Sequence, residues 1–184
     1  MKTNEFVNYL EKNKIVNKGS IIIGYPGIGK STLANVSNGY IDLESSNFFY
    51  PSIHHMERPK GWEYVYCQLA LDLCDQGYTV FTSSHSLITN LLCKLSDKIL
   101  EDIKIYTCSP SINLENEWID KLYKRYTASN SDKDLRAYER AEQYYQEDIK
   151  SLQSIKQFNH IIINDMNYNL RDVIMNGEVY VQKT

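Results

Sequence analysis

No C-x-x-C pair occurs among the four cysteines, Cys67, Cys74, Cys93 and Cys108, and no apolar run approaches the ~18 residues of a membrane span. The first absence removes the usual thiolate metal-site spacing. Cys67 and Cys74 stand seven apart in a helical pattern and read as reduced core residues, with no sign of an oxidising compartment. Positive charge is not in excess either, since the formal net charge is -3. Phosphate neutralisation supplies much of the affinity of duplex binders, so this balance argues against nucleic acid as the main partner. There is no internal repeat, no low-complexity linker and no sign of a second domain, so residues 1–184 read as one domain large enough for a real core. Met1 to Lys14 mixes polar, charged and apolar residues and does not follow the signal-peptide pattern. The expectation is a cytoplasmic protein without a membrane partner. What is present is ordinary for a globular chain: 42% hydrophobic and 23% charged residues.

Five short apolar runs predict strands: Ser20–Gly24, Tyr40–Leu43, Thr79–Ser83, Ile103–Cys108 and His160–Asn164. Stretches of helical spacing separate them, which implies right-handed crossovers and a parallel α/β sheet. Val65, Leu69, Leu73 and Cys74 form a stripe that predicts a helix over 61–76 with Gly77 as its C-terminal cap. Leu87, Leu91, Leu92 and Leu95 do the same for 86–95, and Phe6, Val7 and Leu10 mark a further helix ahead of the first strand. Residues 115–157 are long, polar and rich in tyrosine. Asn130-Ser131-Asp132 breaks them into two helices, with Ser131 or Asp132 capping the second.

Gly24-Tyr-Pro-Gly-Ile-Gly-Lys-Ser-Thr32 fits G-x-x-x-x-G-K-[ST] at every position, directly after the β-branched run Ile21-Ile22-Ile23. Gly24, Gly27 and Gly29 lack a Cβ, so backbone can bend tightly and approach phosphate oxygens. With Pro26 shaping the turn as a binding position, the N–H groups of Gly27, Ile28, Gly29 and on through Thr32 then face negative charge, Lys30 reaches the β- and γ-phosphates, and the Ser31 hydroxyl ligates Mg²⁺. The expected cofactors are ATP and Mg²⁺. Alternation puts Asp42 and Glu44 on one side of the second strand. In P-loop folds the C-terminal end of the strand next to the first opens onto the phosphate site, and Asp42 is read there. It would hold a metal-bound water or accept the proton of an attacking hydroxyl, unless it caps the following turn. Glu44 and Ser45 are read as acceptor-binding.

A glycine-rich P-loop, a short helix and D-x-[DE] at the second strand resemble the small P-loop kinases, among them the nucleoside monophosphate kinases, shikimate kinase and gluconate kinase. The resemblance implies a three-layer P-loop NTPase fold: a five-stranded parallel sheet in the order 2-3-1-4-5, helices on both faces and a helical lid at about 115–157. In the shikimate kinase group the first acid of the pair lies by the metal and the second contacts the acceptor; those roles would fall to Asp42 and Glu44. Val80-Phe-Thr-Ser-Ser-His85 also resembles the acceptor-facing turn of such kinases, which implies acceptor contacts for Ser84 and His85. Two departures stand out. No strand ends in an apolar run followed by Asp-Glu, which speaks against motor-type ATPases. Ser83-Ser84-His85 stands where the adenylate kinase signature would be, which speaks against AMP as acceptor.

Phosphoryl transfer needs cations over spreading negative charge. Residues 115–157 supply Lys121, Lys124, Arg125, Arg136 and Arg140. Leu122-Tyr-Lys-Arg125 resembles the start of a kinase lid, and Arg136 and Arg140, four apart, share a helix face. Arg125 and Arg136 are the catalytic candidates and Arg140 a nucleotide-binding one. The rival reading is a solvated face salt-bridged to Glu139 and Glu142. Arg58 would pair with a phosphate or carboxylate on the acceptor, and Trp62 or Phe49 would stack on a base or belong to the core. His54, His55 and His85 match no common zinc pattern.

The chain is therefore expected to be an ATP-dependent phosphotransferase acting on a small molecule. A nucleotide or nucleoside leads as acceptor, with a carboxylated or sugar-like metabolite close behind. A polynucleotide 5′-kinase and a non-catalytic ATP-binding regulatory protein are the alternatives.

Overall fold

A computed structural model describes residues 19–48, 58–96 and 103–176. The expected N-terminal helix with Phe6, Val7 and Leu10, and the candidates Phe49, His54 and His55, lie outside the described residues. Five strands, β1 (Ser20–Gly24), β2 (Tyr40–Asp42), β3 (Thr79–Ser83), β4 (Lys104–Pro110) and β5 (Asn159–Ile163), form one all-parallel sheet in the order β2-β3-β1-β4-β5. Ile21, Ile22 and Ile23 are buried in β1, as a central parallel strand requires. This is the expected order, and it places β3 beside β1, so Asp42 lies one strand further out than a strand next to β1; β2 pairs with β3 over three residues, Tyr40 to Thr79, Ile41 to Val80 and Asp42 to Phe81. A strand this short, with all its side chains half-buried, suits the edge of a sheet.

Contacts group the chain into two compact units, Met1–Ile23 with Ser37–Ile105, and Gly24–Val36 with Tyr106–Thr184. In the first, helix α2 (Trp62–Asp75) precedes β3 and α3 (Ser86–Ser96) follows it; α1 (Lys30–Val36) belongs to the second unit. Helix α2 ends in a Schellman turn. Gly77, at φ 93°, sends its N–H to the Cys74 carbonyl at 2.9 Å, and Tyr78 bonds the Leu73 carbonyl at 3.1 Å. The inward stripe is offset from the expected one. Tyr66, Cys67, Ala70, Leu71 and Cys74 are buried, whereas Val65 and Leu69 are 60% and 40% exposed. Likewise Ile88 is buried on α3 and Leu87 is exposed. Both helices carry apolar residues on more than one face, and spacing alone does not say which face turns inward.

In the second unit, α1 (Lys30–Val36) follows the glycine-rich loop. The polar stretch folds as α4 (Glu115–Ser129) and α5 (Asp132–Gln153), and α6 (Leu170–Asn176) closes the described chain. Ser131, not Asp132, caps α5, its hydroxyl accepting the Asp134 N–H. Strand β4 pairs in parallel with β5 from Tyr106–Asn159 to Pro110–Ile163. Helix α5 is kinked at Tyr144, whose φ of -137° and ψ of 19° leave the helical region.

Candidate functional site

The loop from Gly24 to Lys30 is held at three points within the second unit. The Tyr25 N–H donates to the Cys108 carbonyl at 2.9 Å, the Trp118 indole Nε1 donates to the Pro26 carbonyl at 2.9 Å, and the Leu170 N–H donates to the Ile28 carbonyl at 3.0 Å. Ile28 is fully buried beneath it. Gly27 and Gly29 have φ of 85° and 100°, the left-handed region that glycine enters without cost. A Cβ on Gly27 would also press Leu122 at 3.1 Å and the Trp118 indole nitrogen at 3.2 Å. Lys30, the first residue of α1, folds back so that Nζ donates to the Gly24 carbonyl at 2.9 Å and the Tyr25 carbonyl at 3.2 Å. A Cβ on Gly24 would meet the Lys30 stem at 2.8 Å, so the glycine makes room for that lysine. Ser31 and Thr32, in the first turn of α1, are exposed. Cys108 is no nucleophile: burial pushes its thiol up to about 12, against the pull of the Lys30 charge.

The lid candidates divide. Arg125 on α4 pairs through Nη2 with Asp134 of α5 at 2.9 Å, while its Nε is buried without a hydrogen-bond partner. Burial raises the Asp134 carboxyl, but the Ser129 hydroxyl and Arg125 outweigh it, and the group sits below the usual carboxylate range. Arg140 makes a bidentate pair with Asp148, Nε to Oδ2 at 2.8 Å and Nη2 to Oδ1 at 2.7 Å, and its guanidinium lies 5.1 Å from the Tyr144 ring centroid. Arg136 is exposed on α5. The Tyr25 hydroxyl is raised far above its usual range, first by burial, then by the Asp148 charge against the pull of Arg140, so this ion pair is sensed at the loop's own first tyrosine.

In the first unit, the acceptor-side candidates gather around two aromatic residues. The Tyr66 hydroxyl donates to the Leu43 carbonyl at 2.6 Å and accepts the Ser83 N–H at 2.9 Å, which ties the end of β2 to the end of β3. Burial raises this hydroxyl far above its usual range, the Ser83 N–H opposes that, and the Asp42 and Glu44 charges add to it, so both carboxylates lie close to the tie. Arg58 stacks its guanidinium 4.2 Å from the Trp62 ring centroid, and its Nε and Nη2 donate to the Ser45 carbonyl and hydroxyl at 3.3 Å each. Trp62 is buried with Phe48 and Tyr66 beside it, so it is core with one face under Arg58. His85 meets the Trp62 ring edge-on at 5.5 Å, and its Nδ1 accepts the Leu87 N–H at 3.3 Å, which caps α3. Ser84 is half-buried beside it. Ser45, Arg58 and His85 are thus brought to one tryptophan, and Asp42 and Glu44 to one tyrosine.

Sequence reasoning missed Tyr66 and Trp118. Both lay among aromatic residues read as composition or core. The available signal was position: Tyr66 sits on the helix that borders β3, and Trp118 one turn into the polar stretch that follows β4.

Among the described residues no group of three or more His, Cys, Asp or Glu could hold a metal ion by itself, and no helix is long and apolar enough to cross a membrane. No protein-family model matches the chain, and neither curated proteins nor solved structures give a significant match.

Proposed function

We propose that the chain is an ATP-dependent phosphotransferase that moves the γ-phosphoryl group to the hydroxyl or phosphate oxygen of a small acceptor. The observation that carries the reading is the loop of residues 24–32. A complete G-x-x-x-x-G-K-[ST] segment joins a buried parallel strand to a helix, with two glycines at positive φ and the Lys30 ammonium drawn over the loop's own carbonyls. A loop of this form offers amides and a point charge to a polyphosphate. Mg²⁺, taken by the Ser31 hydroxyl with the phosphates, would neutralise charge as it builds on the β- and γ-oxygens.

In the proposed step the acceptor oxygen attacks the γ-phosphorus, the bond to the β,γ-bridging oxygen breaks, and ADP leaves with that electron pair. Asp42 takes the proton when the acceptor is a hydroxyl. Lys30 travels with the transferring group, and Arg125 and Arg136 compensate the equatorial oxygens. Arg58, fixed by Ser45 and Trp62, presents a planar cation, which favours an acceptor bearing phosphate or carboxylate. Glu44, Ser45, Ser84 and His85 supply the remaining polar contacts.

The test is ADP production from Mg-ATP over a panel of nucleosides, nucleoside monophosphates and carboxylated metabolites. Lys30→Ala is expected to abolish transfer, and Asp42→Asn to keep ATP binding while cutting turnover by about 10²–10⁴-fold, the usual worth of a general base. ATP uptake without transfer to any acceptor would turn the reading into that of a regulatory ATP-binding protein. Normal turnover by Asp42→Asn would overturn the base assignment.

A further inference from the structure

We infer that Lys121, seated on Trp118, is a ligand for the polyphosphate held at the glycine-rich loop, an inference that rests on the phosphate-binding reading of that loop. Trp118 is fully buried and gives its indole N–H to the Pro26 carbonyl, which fastens its ring to the loop. Lys121, one turn along α4, holds Nζ 4.1 Å from the centroid of that ring. Its neighbour Lys124 shows what an ordinary lysine on this helix does: it is exposed and pairs with Asp120 at 2.6 Å. Lys121 is half-buried and has no carboxylate partner among the described residues. Burial, and then the charge of Arg125, hold its ammonium below the usual lysine range. Arg125 in turn spends one nitrogen on Asp134 and keeps Nε buried without a partner.

Lys121 thus stands on the tryptophan that grips the loop, within reach of the Arg125 charge, and among the described residues the one ion pair made by either cation is that of Arg125 with Asp134. Such an arrangement opposes folding unless an anion compensates it, because like charges in a partly desolvated site repel. A salt-bridged surface face would have matched each cation with an acid, as Lys124 is matched. A polyphosphate on the loop amides brings several negative oxygens and supplies that compensation. Trp118 is then a positioning residue, and Lys121 the group that touches phosphate.

The experiment is calorimetry on the full chain with two probes, Mg-ATP and inorganic tripolyphosphate. Lys121→Met is expected to weaken both by about tenfold or more at low salt, the worth of one charge-assisted hydrogen bond. The loss should shrink at high salt, where the charge is screened, and Lys121→Arg should retain binding. Should Lys121→Met fail to fold, Lys121→Gln carries the same expectation. Equal affinity of the wild-type and neutral variants would overturn the inference and leave the loop reading intact. So would a loss shared by Lys121→Arg and indifferent to salt, which would mark packing on the indole. If the wild-type chain takes up neither probe, the loop reading falls and this inference with it.

Discussion

The glycine-rich loop and the strand-end cluster are built in opposite ways. The loop is one contiguous run of backbone, shaped by glycines and clamped from outside by backbone carbonyl and indole contacts. The cluster is assembled from three separated pieces, the end of β2, the start of α2 and the turn after β3. Side chains hold those pieces together: the Tyr66 hydroxyl between Leu43 and Ser83, and Arg58 between Ser45 and Trp62. Under the proposed function, a ligand whose recognised part is always the same triphosphate suits a backbone cradle, since every residue type but proline offers an amide N–H. Under the same proposal, a pocket that discriminates among acceptors suits side chains, which vary one at a time.

The sharpest way to break this contrast is at the clamp. Trp118→Ala removes a fully buried indole and the bond to Pro26, and should cost about 3–5 kcal/mol, as large-to-small core changes do. A thermal melt should show a lowered midpoint, and calorimetry the loss of triphosphate uptake. Retained affinity in a folded Trp118→Ala protein would mean that the loop shapes itself without its clamp.

In the strand-end cluster, Tyr66→Phe leaves the Ser83 N–H and the Leu43 carbonyl without their buried partner, at a cost of about 1–3 kcal/mol. Acceptor KM should rise while ATP affinity stays as it was. If both change by the same factor, the two regions do not act independently.

The asymmetry also explains what could be read from sequence. Ser20–Gly24 and Thr79–Ser83 were legible to the residue because β-branched and apolar runs bounded by turn residues have few other uses, and the remaining strands fell within two residues. The turn that joins β1 to α1 at residues 24–30 was legible because its information is local. The cap at Ser131 and the glycine stop at Gly77 were legible for the same reason. The inward face of α2 was legible only at Cys67 and Cys74: Val65 and Leu69 have the spacing of a core stripe, but the core took Tyr66, Ala70 and Leu71. Tertiary partners decide that choice, here the two strand ends that a buried hydroxyl joins. The position of β2 at the edge, beyond β3, is a pairing decision that no single strand encodes; it was expected only through the resemblance that supplied the order 2-3-1-4-5.

A milder probe of the cluster is Arg58→Lys. It keeps the charge and loses the planar stack on Trp62 and the two contacts to Ser45, worth about 0.5–1 kcal/mol at a partly exposed site. Acceptor KM should rise a few-fold for phosphate- or carboxylate-bearing acceptors and stay level for neutral ones. A rise shared by neutral acceptors would assign Arg58 to holding the loop rather than to reading charge.

The smallest effect separates two uses of Arg140. In a straight helix residues eight apart are offset by about 12 Å along the axis, so the Arg140–Asp148 pair closes across the break at Tyr144. Arg140 is largely exposed, and pairs of this kind contribute less than about 1 kcal/mol. Arg140→Gln should therefore lower the melting midpoint slightly at low salt and hardly at all at high salt, and Asp148→Asn should do the same without adding to it. The kinetic measurement carries the distinction. If Arg140 leaves Asp148 for the nucleotide during turnover, Arg140→Gln raises the KM for ATP, and Asp148→Asn, which releases the guanidinium, lowers it. If Arg140 only fastens the kink, both variants shift KM in the same direction, because each unfastens the same joint.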